Sequence, residues 1–328
     1  MLSSEIFFEM KVYWTIALNS FKELTRQPIY LVLMVGSSIF ILFLASLYYA
    51  GADEDAAMVH SGVLATLFLS GLLTAVVGAS HSIGQEVDSG TALAVLSKPV
   101  GKIQFILAKY SGLTAAIALQ CCAGVLSALL STRMAFDVYG APDYPAIVIM
   151  GSAIFLAFTI GLTANYFAFK PFVELAVWSL LGCMIAGFVI INYLSREWKP
   201  QAFGTDIDFR MLNATILILM ALCLVAGIAT ACSTRLGLIP TLVICLCLFL
   251  CGLVSDHFLG SQAEAGRWSA RLAYALIPNW QLFWMADALA LKASIPINYL
   301  MYAFLYTLGS LGISLGLAIA LFEDRELK

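Results

Sequence analysis

The chain has 328 residues, of which 62% are hydrophobic and only 11% charged, and its mean hydropathy is +0.94. A soluble globular protein carries about 25% charged and 45–50% apolar residues, so a soluble enzyme, a secreted disulfide scaffold and a disordered chain are excluded. Seventeen Lys and Arg against 20 Asp and Glu leave a net charge of −3, without the basic face of a nucleic-acid binder.

Taken in chain order, the first 28 residues do not read as a secretory signal, because Glu5, Glu9, Lys11, Lys22, Glu23 and Arg26 interrupt them and no apolar stretch precedes a cleavage site. Residues 5–27 place Met10, Tyr13, Trp14, Ala17, Phe21 and Leu24 at helical spacing, with Glu9, Lys11, Lys22 and Glu23 on other faces. That pattern predicts an amphipathic helix lying in the membrane interface. The alternative is a helix packed on a cytoplasmic domain. Eight apolar runs follow, at residues 29–50, 61–83, 105–131, 145–169, 172–193, 211–231, 236–254 and 297–321. Each is about 28–40 Å long as a helix, which matches a hydrocarbon core of about 30 Å. Lys170-Pro171 splits one long apolar stretch and predicts a tight turn there, with Lys170 snorkelling to the surface or pairing with Glu174 four residues on.

Two further segments are neither span nor simple loop. Residues 84–104 hold Gly90-Thr91, then Leu93 and Leu96, then Lys98-Pro99. They are too short to cross and too apolar for a free loop, so they need a partner surface. Residues 256–294 begin polar and turn aromatic at Tyr274, Trp280, Phe283 and Trp284, with Pro278-Asn279 between. They predict short re-entrant helices before the last span, with two extra half-spans as the alternative. An even number of spans puts both termini on one side. Ten of the 17 Lys and Arg then share that side, and the acidic loop with Asp53, Glu54 and Asp55 lies opposite, so both termini are expected in the cytoplasm.

Catalytic motifs are missing from these 328 residues. There is no Gly-x-x-x-x-Gly-Lys-Ser/Thr loop to cradle phosphates and no Gly-x-Ser-x-Gly elbow. Only three histidines occur, His60, His81 and His257. The eight cysteines lie in or beside apolar runs and read as small buried hydrophobes rather than disulfides or metal ligands. Charges near spans (Lys109, Glu174, Arg235) fall within about a turn of the expected ends, leaving no mid-span carboxylate to couple an ion gradient. Of the mid-span polar residues Thr74, Gln120, Asn165 and Thr215, Gln120 is the deepest amide; it either lines a path or bonds a neighbouring helix. Gly312 and Gly316, with Gly309 a turn earlier, allow close helix approach, and packing within the chain is favoured over dimerisation.

An interfacial helix, two spans, and then a segment running Glu86-Val-Asp-Ser-Gly90-Thr91 to Leu96-Ser-Lys98-Pro99 and on to Lys109 resemble the permease subunits of ABC-type exporters of the type-two export family. The outer segment before the last span is similar to the re-entrant helices of that family. Many members have six spans, whereas eight are counted here. The resemblance implies a single permease domain over residues 1–328, all-α and polytopic, in the inner or plasma membrane. It implies that residues 84–104 are a coupling segment, with Glu86, Gly90, Thr91, Leu93, Leu96, Lys98 and Pro99 docking on a separate nucleotide-binding ATPase subunit. It also implies a second permease copy, identical or a close paralogue. ATP and Mg would then be bound by the partner, with no cofactor or metal in this chain. Two rival readings are an ion-coupled secondary transporter and a lipid-modifying enzyme built on His257, Asp256 and Glu264.

Overall fold

The computed structural model describes residues 2–47, 55–88, 101–135, 141–255, 267–268 and 277–323. Its regular elements are helices: α1 (Leu2–Thr25), α2 (Pro28–Ser46), α3 (Asp55–Ala79), α4 (Lys102–Met134), α5 (Tyr144–Ala168), α6 (Phe172–Asn192), α7 (Arg210–Ser233), α8 (Leu238–Ser255), the short α9 (Ala286–Ala290) and α10 (Ile297–Glu323). Eight of these are long and apolar enough to cross a membrane, and each falls on one of the eight apolar runs. Helix boundaries follow local chemistry. Pro28 opens α2, where its missing N–H costs nothing. Phe169 takes the left-handed conformation (φ 53°) and ends α5, and Pro171 then stands at the N-cap of α6, so the Lys170-Pro171 turn is tight, as the sequence predicts. Glu174, however, pairs with Arg26 at 2.9 Å rather than with Lys170. Lys170 lies before the N-cap and so outside α6, where the intrahelical spacing does not act, and the end of α1 is brought against the start of α6.

Helices α3, α4 and α7 form the centre, with about two thirds of each apolar window buried, and they pack on one another. Helices α2 and α10, the α5–α6 hairpin, and α8 surround them. Helices α8 and α10 are the most open of the eight, with 22% and 17% of their windows buried. Helix α1 and the end of α10 lie at the same end of the bundle: Gln104 at the start of α4 donates to the Glu9 carbonyl of α1, and Lys102 donates to the Glu323 carbonyl of α10.

Helix α1 meets the chain itself rather than a separate domain. Tyr13, Ala17, Ser20 and Leu24 turn towards α4 and the end of α3, with Ala17, Ser20 and Leu24 buried. The approach is close enough that a Cβ on Gly112 of α4 would lie 2.5 Å from the Ala17 carbonyl oxygen. Phe7, Met10, Trp14 and Leu18 remain exposed along a second stripe at helical spacing, the apolar face an interfacial helix offers to lipid.

Before the last span the chain turns back into the bundle at Pro278. A 3-10 turn (Trp280–Phe283) and α9 bury Trp280, Phe283, Ala286 and Leu289. The rings sink into protein instead of the lipid interface. Gly252 of α8 leaves the room, since a Cβ there would meet Pro278 and Trp280 at 2.3 Å, and the Trp280 indole N–H donates to the Leu248 carbonyl. Non-helical backbone at membrane depth is tolerated only against such protein partners. Asp256, His257, Glu264 and Tyr274 lie outside the described residues.

The glycine stripe of the last span behaves otherwise than expected. A Cβ at Gly309, Gly312 or Gly316 would meet nothing within 4 Å. Helix α10 packs instead through Ala303, Thr307, Ser314, Ala318 and Phe322, largely on α7, so Gly312 and Gly316 face outward. The cysteines also divide. All eight are free; Cys121 and Cys245 are buried, while Cys122, Cys247 and Cys251 are exposed.

At the end opposite α1, Arg133 and Asp143 form a wholly buried ion pair at 2.6 Å. Arg133 also donates to the Ile191 carbonyl at the end of α6. Asp143 accepts the Ala146 N–H and caps α5, and the Arg196 guanidinium reaches the Arg133 carbonyl. One pair thereby joins α4, α5 and α6. Removing one partner of such a pair strands the other in a dry site, which costs about 3–5 kcal/mol. Asp143→Ala should lose stability of about that size, and Asp143→Asn, which keeps the cap acceptor, distinctly less; unfolding in mixed micelles measures both.

Candidate functional site

The chemistry at the α1 end begins with a change of helical pitch. Helix α3 runs into a π-helical turn at Ser80–Gly84 and then a single α-turn, Gln85–Asp88. A π-turn inserts an extra residue and re-aims the side chains beyond it. Glu86, just past it, is thereby directed at Lys109 of α4, and their oxygen and nitrogen lie 2.7 Å apart.

Lys109 sits deeper than the sequence predicts. Helix α4 starts at Lys102, so Lys109 is two turns inside it, and its side chain is only 5% exposed. A buried ammonium is stable only with counter-charges and hydrogen bonds. Glu86 supplies one. Glu23 of α1 supplies a second at 3.8 Å and also lies 3.4 Å from the His81 imidazole on the π-turn. The Phe105 ring lies below, its centroid 5.8 Å from the ammonium, in range of a cation–π attraction. Three separate pieces of chain thus converge on one cation.

Hydroxyls extend the knot. Ser82 of the π-turn bonds Ser20 of α1 at 2.8 Å, and Ser80 bonds Ser233 at the end of α7 at 3.3 Å. The Tyr13 hydroxyl bonds Ser111 and donates to the Leu107 carbonyl. An apolar cluster of Ile83, Phe105, Ile106, Ala231, Ala318 and Phe322 lies beside it, with the Phe105 and Phe322 rings stacked at 5.7 Å. Five helices, α1, α3, α4, α7 and α10, therefore meet where the 84–104 segment leaves and re-joins the bundle.

Of the residues the sequence singles out in that segment, Glu86 is placed, at the root of the first stem. Gly90, Thr91, Leu93, Leu96, Lys98 and Pro99 lie outside the described residues. Lys109, matched only through the resemblance, proves to be the partner of Glu86. Sequence reasoning missed Glu23 and His81; a carboxylate and an imidazole beside a buried lysine carry no fixed spacing along the chain. Gln120 accepts a hydrogen bond from Thr74 across the α3–α4 contact, and its amide nitrogen has no partner among the described residues. Among the described residues no group of three or more His, Cys, Asp and Glu side chains is placed to hold a metal ion.

The exposures of the ion-paired groups set an order for substitutions. Glu86 and Glu23 are 25% and 36% exposed and keep some water. Lys109 keeps almost none. Glu86→Gln, which leaves the ammonium with only the more distant Glu23, should lower thermal stability more than Lys109→Met, which leaves two partly solvated carboxylates. Melting curves of the two single variants and the double variant measure the order, and the double variant should lose less than the two singles combined.

No curated protein matches the chain. A family model described as ABC-2 family transporter protein matches residues 14–191, more than half of the chain, from the middle of α1 to the end of α6, including Glu23, His81, Glu86 and Lys109 and the Arg133–Asp143 pair. With eight helices fit to span a bilayer, the chain belongs to the ABC-2 family of transporter proteins as a multi-pass membrane permease.

Proposed function

We propose that this chain is the permease half of an ATP-driven exporter, that it works with a second permease copy, and that a separate ATPase subunit docks on residues 84–104. Both termini and the 84–104 segment would face the cytoplasm of an inner or plasma membrane, in keeping with the greater share of Lys and Arg on that side. ATP and Mg would be bound by the partner. Residues 1–328 would act as one permease domain.

The observation that carries this reading is the Lys109 knot. A force applied to the 84–104 segment enters the bundle through two stems, the end of α3 and the start of α4. These stems are clamped to each other by Glu86 and Lys109, and to α1 and α7 by Glu23, Ser20 and Ser233. A push at this point would move five helices as a unit instead of bending one loop. Gly90, Thr91, Leu93, Leu96, Lys98 and Pro99 would form the docking face, with Leu93 and Leu96 each contributing about 1.5–3 kcal/mol if fully buried at the contact. Gln120 would serve helix pairing with Thr74, and the outward Gly312 and Gly316 would be free for contact with lipid or another chain.

The test is to purify the permease together with the ATPase encoded beside it. Leu96→Asp puts a charge in the docking face and should abolish co-purification and stimulation of ATP hydrolysis, leaving the permease's own melting temperature unchanged. Wild-type assembly and stimulation in that variant would refute the docking assignment. Transport in ATP-free vesicles driven by a proton or sodium gradient would favour the ion-coupled alternative.

A further inference from the structure

Between α8 and α10 a cavity of about 280 Å³ runs along α7. Its walls are mostly apolar, with Leu224 and Ile228 of α7, Leu248 of α8 and Leu317 of α10 among them and the hydroxyls of Ser310 and Ser314 on the α10 side, and Pro278 closes it at the end away from α1. Ile313 and Leu317 line it while being 56% and 53% exposed, so it is reached from the side of the bundle, where hydrocarbon would surround it. An engineered apolar cavity of about 150 Å³ stays dry and takes up benzene; this larger one, inside the span, suits a hydrocarbon tail better than water.

Its other end carries a charge. Cys232 and Leu317 are the last wall residues towards the α1 end. Three residues beyond Cys232, in the turn just past the end of α7, stands Arg235, its backbone N–H bonded to the Cys232 carbonyl at 3.1 Å. Its Nε donates to the carbonyl of Leu321, one turn beyond Leu317, at 2.8 Å. The guanidinium therefore spans both walls just past the mouth. Among the described residues no carboxylate salt-bridges it, and it is exposed. An apolar slot ending in a cation with donors to spare matches an amphiphile with a hydrocarbon tail and an anionic head.

We propose that this slot binds an acyl chain of an acidic membrane lipid whose headgroup phosphate is held by Arg235. The inference rests on the membrane-spanning fold and not on the docking of an ATPase, so each can fail alone. The experiment is native mass spectrometry of the full chain in detergent, titrated separately with dioleoyl phosphatidylglycerol and dioleoyl phosphatidylcholine. The wild type should retain phosphatidylglycerol in preference to phosphatidylcholine. Arg235→Gln, at an exposed site, should lower retention of phosphatidylglycerol roughly tenfold, the loss of one charge-assisted contact, and lower that of phosphatidylcholine less, because its choline already offsets the charge of its phosphate. Ile313→Trp, which fills the slot from its open side, should lower retention of both. Equal retention of the two lipids by the wild type, or wild-type retention of phosphatidylglycerol in Arg235→Gln, would overturn the proposal. Displacement of the lipid by inorganic phosphate alone would also overturn it, reducing the site to an anion contact.

Discussion

Hydrocarbon offers no hydrogen-bond partner, and the buried charged groups among the described residues are placed accordingly. The central helix α4 shows it most directly. Lys109 and Arg133 stand 24 residues apart on it, about 36 Å along the axis, slightly more than the thickness of a hydrocarbon core. No charge lies between them. Each is buried, and each is neutralised by a carboxylate from another part of the chain. The two clusters mark the two membrane boundaries, and because counter-charges must come from outside α4, each boundary is also where the other helices are tied to it.

The clusters differ in a way that bears on function. The Arg133–Asp143 pair is fully enclosed, and it is tied to the main chain at the Ile191 carbonyl and the Ala146 N–H. A pair of that kind has one arrangement and resists change. In the Lys109 knot one ammonium is shared by two partly exposed carboxylates at unequal distances, beside an imidazole and on a π-turn. Groups that retain some water can exchange partners at lower cost than groups that retain none. A rigid clasp at one boundary and an adjustable joint at the other is an arrangement suited to a bundle that rocks about a fixed end.

The sequence makes the spans legible because lipid demands long apolar runs and no tertiary contact is needed to recognise one. Prolines at 28 and 171 mark helix starts for the same local reason. What depends on packing is not legible in this way. Glu174 has Lys170 at ideal helical spacing yet pairs with Arg26, 148 residues away in the chain. Gly312 and Gly316 carry the spacing of close helix contacts yet face outward, while unremarkable glycines at 112 and 252 are the ones against which backbone and ring actually press. The site is legible by halves. Glu86 and Lys109 can each be picked out through family resemblance, but their contact depends on a π-turn, and no side-chain pattern announces an inserted residue in a helix.

That turn also fixes how α1 is held. Were α3 to continue with regular α-helical pitch beyond Ala79, each residue past the turn would be rotated by about 100° from its present direction. Glu86 would then leave Lys109. Lys109 would be left to Glu23 of α1 alone. The extra residue is therefore the element by which the end of α3 joins α1 and α4 in one knot, and it explains why an ion pair drawn from residues 23 apart in sequence also bears on α1.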